Sequence, residues 1–458
     1  MQNNHEIDMI NGPLTGKIIK FALPLMLAGI LQLLYNAADI VVVGRFAGSR
    51  ALAAVSSTTS LINLIVNLFA GLSIGTSVAL ARYLGAQNHK EASETVHTSI
   101  ALSLIFGIVL AIVGIIIAKP VLIAMDSPED VLPMSVTYLK IYFLGSPANL
   151  LYNYGSAIMR TSGDTKRPLY FLTFSGIVNV ILNLVLVICF GMDVAGVAIA
   201  TIVSQYISAA LVFVTLMRNN GSCRLIIKNI RIIPKKLGQL MYLGIPASIQ
   251  GLMFSLSNII IQSSINSFGA LAIAGNGAAS SIEGFVYTAM NSFGVAAQVF
   301  SGQNIGAGKI RRVNKVLVNC LFMSITSWAA LCVTFAIFKI QLLSIYLPND
   351  AEAITYGIQR MSVVMYSYFL CGTMEIVVGI LRAMGKSIFP AAVSIVCICL
   401  LRIVWIFTVF AKVHTFKCLF LSYPITWLAA QSIFYVFYAI TYRKMLKQSE
   451  QLSEAEQS

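Results

Sequence analysis

The feature that most constrains this chain is a succession of apolar stretches, each long enough to cross a bilayer. A helix needs about 20 apolar residues to span the hydrocarbon core. Twelve stretches qualify: roughly 17–43, 52–81, 96–118, 132–158, 168–190, 194–217, 239–267, 271–302, 313–338, 353–381, 388–411 and 416–441. They are continuously apolar rather than alternating, which excludes a transmembrane β-barrel. Helices are the remaining way to satisfy every backbone group within lipid, so the chain reads as an all-α integral membrane protein. Of 458 residues, 58% are hydrophobic and 10% charged, against about 25% charged in a soluble domain. Pro24, Pro147 and Pro246 fall within the stretches and are expected to kink their helices.

The basic residues set the orientation. If both termini are cytoplasmic, the cytoplasmic segments hold 22 of the 31 Lys and Arg, the outer segments six and the spans three (Lys140, Arg360, Arg402). That asymmetry is the positive-inside pattern, and it places the protein in the cell membrane as a multi-pass chain. Acidic Glu129, Asp130, Asp350 and Glu352 fall outside. The net charge of +14 is thus dealt out between spans, which argues against nucleic acid as a partner. The first apolar run follows a segment without a positive n-region and is expected to act as an uncleaved insertion signal. Eight scattered cysteines with no CxxC pair read as small packing residues rather than disulfides or a metal site. The longest polar stretch, 218–238, is strongly basic and reads as a cytoplasmic linker near anionic lipid.

Sliding the chain against itself by 222 residues superposes Pro24 on Pro246, Asn36 on Asn258, Arg160-Thr-Ser-Gly163 on Arg382-Ala-Met-Gly385, and Pro168 on Pro390. Near the second helix the best shift is 221, with Leu84-Gly85-Ala86 over Ile305-Gly306-Ala307. Residues 1–217 are therefore expected to form one six-helix lobe and 239–442 another, followed by a cytoplasmic tail at 443–458. An even number of spans in each half gives both lobes the same orientation, with a pseudo-two-fold axis along the membrane normal. Two such lobes rocking around a cavity are an alternating-access architecture.

The chain resembles the multidrug and toxic compound extrusion (MATE) family over nearly its whole length. The resemblance rests on Phe21-Ala-Leu-Pro24, Tyr35-Asn-Ala-Ala-Asp39 followed by Val43-Gly-Arg45, and Ala51-Leu-Ala-Ala-Val55. It continues through Gly163-Asp-Thr-Lys-Arg-Pro168, Asn179-Val-Ile-Leu-Asn183 and Val194-Ala-Gly-Val-Ala-Ile-Ala-Thr201. In the second half, Gly244-Ile-Pro246, Gln303-Asn-Ile-Gly-Ala-Gly308 and Leu381-Arg-Ala-Met-Gly385 fit the same pattern. The resemblance implies a monomeric antiporter exporting small organic, often cationic, compounds in exchange for protons or sodium ions, with no cofactor beyond the coupling ion.

Ionisable groups within spans are costly and mark candidate sites. Asp39 stands in the outer half of the first span, in a run otherwise free of charge, with Asn36 one turn earlier. A carboxyl withdrawn from water takes up protons more readily, and when ionised it binds sodium or attracts a cation. Asn179 and Asn183 add amides at i, i+4 on the fifth span. The resemblance implies a coupling role for the acid of the first span, matched by Asp39. Many members carry an acid where Asn183 stands, and an amide cannot exchange a proton near neutral pH. The competing reading of Asp39 is an interfacial acid bridged to Arg45. In the second half Glu283 and Glu375 are either a second cation or substrate site or structural groups, with Arg402 a candidate partner. Asn149, Asn153, Tyr154, Gln298 and Gln303 are polar candidates for a substrate cleft. Lys140 and Arg360 read as side chains snorkelling to the headgroups, and Arg160 and Arg382 as topology and turn determinants.

No enzyme signature is present: GxxxxGK[ST], HExxH and GxSxG are absent, and no histidine spacing suits a metal. A flippase for lipid-linked or polysaccharide precursors is the competing function. It calls for several Arg or Lys in the cavity, whereas most basic residues here lie in cytoplasmic loops.

Overall fold

The computed structural model describes residues 6–125, 128–348 and 350–455, and every regular element among them is helical. The first half holds α1 (Leu14–Val42), α2 (Gly48–Gly85), α3 (His89–Ala124), α4 (Leu132–Leu144), α5 (Ser146–Thr161), α6 (Lys166–Leu184) and α7 (Asp193–Met217). The second holds α8 (Pro234–Asn266), α9 (Ala270–Gly306), α10 (Ile310–Tyr346), α11 (Ala351–Ala383), α12 (Ile388–Ser394), α13 (Leu401–Trp405) and α14 (Phe416–Ala455). Among the described residues, ten helical stretches are long and apolar enough to cross a membrane. The other two of the expected twelve are also helical. Stretch 132–158 is interrupted at Gly145, so Pro147 opens α5 instead of kinking a single helix. Helix α9 spans 37 residues but is diluted by Gly, Ser and Asn. Helix α14 runs on through most of the segment expected to be a tail, and α8 already begins within the expected linker.

The repeat has a local cause. Gly163 and Gly385 take φ of +101° and +76°, the left-handed conformation that favours glycine. Behind each, a backbone N–H reaches five residues back, Asp164 to Met159 at 2.9 Å and Lys386 to Leu381 at 2.9 Å. This is the Schellman closure of a helix end, so the repeated Arg-x-x-Gly is a helix stop used twice. Helices α3 and α11 start on side-chain caps, Asn88 accepting from Glu91 N at 3.2 Å and Asp350 from Ala353 N at 3.0 Å.

The chain divides into two compact units that are not its linear halves. One comprises residues through Asp8 and Leu27–Ser248; the other comprises Met9–Met26 and Ile249–Ser458. The crossing points after Met26 and Ser248 lie 222 residues apart, each two residues past a proline inside a helix. The start of α8 thus packs with the first unit and the start of α1 with the second. Small residues explain the first case: a Cβ on Gly75 would sit 2.4 Å from Leu240 O, and one on Gly71 2.5 Å from Ser248 Cα. Backbones meet there directly. Lys236, 1% exposed, then pairs with Glu91 and lies 3.9 Å over the Tyr83 ring. In the second unit Phe21 meets Phe300 edge-on at 5.5 Å, and Asn304 Nδ2 donates to Met9 O at 3.1 Å.

Each unit has its own apolar core. In the first, Val42, Val55, Val187 and Val197 close around Tyr138. In the second, Ile282, Val286 and Met290 of α9 meet Met361 and Met365 of α11. The close approach of α9 and α11 needs glycine, since a Cβ on Gly275 would lie 2.2 Å from Ala353 O.

Candidate functional site

Helical periodicity gathers polar side chains onto single faces, and in the first unit four such faces converge. Helix α1 supplies Gln32, Tyr35, Asn36 and Asp39; α5 supplies Asn149 and Asn153; α6 supplies Ser175 and Asn179; and α7 supplies Thr201, Ser204, Gln205 and Ser208. Together they line a cavity of about 170 Å³. Residues read separately from the sequence, Asp39, Asn36 and Asn179 as a coupling set and Asn149 and Asn153 as cleft candidates, therefore share one chamber.

Asn183 does not line the cavity but holds two residues that do. It is fully buried, and its Nδ2 donates to Asp39 Oδ1 at 2.5 Å and to Asn179 Oδ1 at 3.3 Å. Its own Oδ1 is buried with no hydrogen-bond partner. A buried acceptor left open is costly, so the Asn183 amide is held by what its nitrogen donates to, the Asp39 carboxylate and Asn179. Asp39 forms no ion pair among the described residues, so a bridge to Arg45 is not its role. On α5, Asn153 Nδ2 donates to Asn149 Oδ1 at 2.9 Å. Tyr35 reaches the cavity because α6 has Gly176 opposite, where a Cβ would lie 2.0 Å from the ring; its hydroxyl donates to Thr173 O at 3.2 Å.

Two wide π-helical turns, Val43–Ala47 and Val185–Cys189, begin just past Asp39 and Asn183 and pack against each other. Such turns often mark functional positions. The sequence reading missed them, together with the polar face of α7. The spacing Thr201, Ser204, Gln205, Ser208 is i, i+3, i+4, i+7 on an apolar helix and carried the signal.

The second unit treats its acids differently. Glu283 is 1% exposed and is gripped by Arg360, with Nε 3.1 Å from both carboxylate oxygens and Nη2 2.7 Å from Oε2. Arg360 Nη1 donates to Asn276 Oδ1 at 2.5 Å, and its guanidinium lies 4.9 Å over the Phe420 ring. Arg360 is therefore no snorkelling side chain: a bidentate pair is available inside, and helix rotation buries it. Arg402 is not the partner of Glu283; it lies 4.0 Å over Tyr423 and donates to Thr426 Oγ1 at 3.4 Å. Arg382 does more than end a helix, because its Nη2 donates to Gln250 Oε1 at 2.7 Å and Gln250 Nε2 donates to Ser394 Oγ at 2.9 Å. Glu375 packs against Gly294 within electrostatic reach of Arg382. Gln298 and Gln303 are buried on α9, and Tyr154 is buried on α5 with its hydroxyl unpartnered. None of these three lines the cavity. Lys140 is exposed.

Comparison with known proteins follows the same repeat. The MatE family model matches twice, at residues 24–185 and 246–408, starting on Pro24 and Pro246. The "Probable multidrug resistance protein YoeA" of Bacillus subtilis is 29% identical over 434 residues, 93% of each chain. The "FAD transporter" of Shewanella oneidensis is 24% identical over 93% of this chain and 94% of its own. The "Multidrug export protein MepA" of Staphylococcus aureus is 22% identical over 82% and 83%. Among solved structures, a MATE protein in complex with MaL6 superposes with a TM-score of 0.90 at 18% identity, covering 97% of this chain and all of that one. An outward-facing multidrug resistance MATE family transporter gives 0.90 at 18%, covering 98% and 100%. At such identity the likeness is one of fold.

Proposed function

Because the chain belongs to the multidrug and toxic compound extrusion (MatE) family, we propose that this efflux transporter is a secondary active antiporter. It moves small organic, cationic compounds out of the cell in exchange for protons or sodium ions, by alternating access. It works as a monomer in the cell membrane with both termini cytoplasmic, the orientation that the positive-inside count favours.

One observation carries the reading: Asp39 sits in a polar cavity with no cation of its own and only an amide, Asn183, holding it. A carboxylate so placed binds a proton or sodium ion entering from outside. Neutralised, it loses its attraction for a cationic cargo, which is then released; ionised again after the coupling ion leaves inward, it recruits the next. Coupling follows from competition for one charge. The names of the relatives YoeA and MepA favour drug-like cargo. The cavity lining carries no Lys or Arg among the described residues, which speaks against a phosphate-bearing lipid precursor as cargo.

The test is uptake or release of ethidium in proteoliposomes under a proton gradient or a sodium gradient imposed separately. The wild-type protein is expected to respond to one of them, and Asp39→Asn to neither. Undiminished gradient-driven transport by that variant would sink the assignment.

A further inference from the structure

In the second unit, the turn into α10 and the last turns of α14 border an open cleft of about 440 Å³. Its walls include Lys309, Arg311, Arg312 and Lys315, against a single carboxylate, Glu450. Arg311 and Lys315 are one helical turn apart and so share a face. Glu450 Oε1 accepts from Arg311 Nη2 at 2.9 Å, but both side chains are solvent-exposed, at 46% and 80%, and a bridge of that kind is weak. The contacts of Lys309 and Arg312 among the described residues are to neutral oxygens. Lys309 Nζ donates to Asn11 Oδ1 at 2.7 Å, and Arg312 Nη2 to Gly12 O at 2.6 Å and Asn11 O at 3.1 Å. Lys315 has no acidic partner among the described residues.

The repeat supplies a control within the same chain. At the shift of 221, Arg311 falls on Lys90, Arg312 on Glu91 and Lys315 on Glu94. The first unit thus has acids at two of these three positions, with Lys90 keeping the base of Arg311, and Glu91 there is satisfied by Lys236. A shared scaffold does not require the basic version, so the charge excess of the second unit needs its own explanation.

We propose that this cleft binds a phosphate group, held by the guanidinium of Arg311 and the ammonium of Lys315 at the positive end of α10, with Leu446 as the apolar wall. Guanidinium forks match phosphate oxygens in pairs, and a helix start adds favourable partial charge. The carboxylate of Glu450 then acts as an internal competitor for Arg311. The phosphate belongs either to an anionic lipid headgroup or to a free phosphate ester.

Binding can be measured on the full-length protein, purified and delipidated in detergent, by titration with dioctanoyl phosphatidic acid in one arm and glycerol 3-phosphate in the other. The wild-type protein is expected to bind the lipid alone if headgroups are the source, and both probes if free esters are. Arg311→Gln with Lys315→Gln should weaken binding by about tenfold or more. Glu450→Gln should strengthen it several-fold, a gain that misfolding cannot produce. Arg224→Gln with Lys228→Gln removes the same charge from the connector and should leave affinity unchanged. Failure of both probes to bind, an equal loss in the connector variant, or no gain with Glu450→Gln would overturn the proposal.

Discussion

In the first unit, among the described residues, the carboxylate of Asp39 is hydrogen-bonded by the amide of Asn183 alone, inside a polar cavity. In the second, the carboxylate of Glu283 is gripped by Arg360 and removed from solvent. Both are acids within membrane-spanning helices, and both look like functional candidates by rarity alone. The difference between them is the source of the counter-charge. Where the fold supplies a guanidinium, the acid is held between α9 and α11 by Arg360. Where it supplies only an amide, the proposed function has the counter-charge arrive with the coupling ion.

The largest expected effect follows from that contrast. Asp39→Asn should abolish the gradient-driven part of efflux, while Glu283→Gln, compared at equal amounts of folded protein, should leave the ion dependence intact. Efflux assays on both variants would break the comparison if the two lost coupling to the same extent. Next comes stability: Arg360→Met strands a buried carboxylate and should cost about 3–5 kcal/mol, read as a fall in melting temperature in detergent. Adding Glu283→Met should recover most of that loss, and a double variant as unstable as the single would mean that Arg360 acts through packing alone.

A smaller change is expected from Asn183→Leu, which removes the one hydrogen bond to Asp39. A bond to a charged group is worth about 1.5–3 kcal/mol, so transport should fall about tenfold or more without loss of the folded protein. Unaltered efflux would show that the amide is not needed to hold the carboxylate. The smallest effect concerns the segment around Ile7, whose N donates to Gly163 O at 3.4 Å. There Glu6 is pushed above the usual carboxylate range, chiefly by burial and then by the charge of Asp164, against the opposing pull of Arg167 and a hydrogen bond from Asn219. The thiol of Cys223 is pushed up to about 12, chiefly by burial and then by the charge of Glu6. A raised carboxyl favours this contact fully below its ordinary value of about 4.5 and progressively less as pH rises through the raised one. Hydrogen exchange at Ile7 should therefore quicken from about pH 4.5 upward, more than intrinsic exchange predicts. A flat corrected profile, or the same profile in Glu6→Gln, would remove Glu6 from the account.

Much of this was legible along the chain because its causes are local. Hydropathy over about 20 residues is enough to commit a segment to the bilayer, and the stretch 132–158 is helical as expected, with a break at Gly145 next to Pro147 in a run that stays apolar. The glycine of the Arg-x-x-Gly stop dictates a left-handed residue wherever it occurs, so the repeat was visible before any packing was known. Asp39 stood out as a lone acid in an apolar run. Arg360 stood out too, but was assigned to the headgroups, because nothing in its own helix indicates that Glu283, 77 residues earlier, turns toward it.

The sequence by itself determined the helices, the duplicated scaffold, the family and the acid of the first span, since each depends on residue type and short spacing. Only the tertiary structure decided which face of each helix meets which neighbour. That choice put Asn149 and Asn153 beside Asp39, paired Arg360 with Glu283 rather than Arg402, and handed the start of α1 to the second unit and the start of α8 to the first. The rotation of a helix about its axis is set by close packing of small residues and by the cost of leaving a buried polar group unpaired. Both are sums over the whole fold, and no local stretch of the chain contains them.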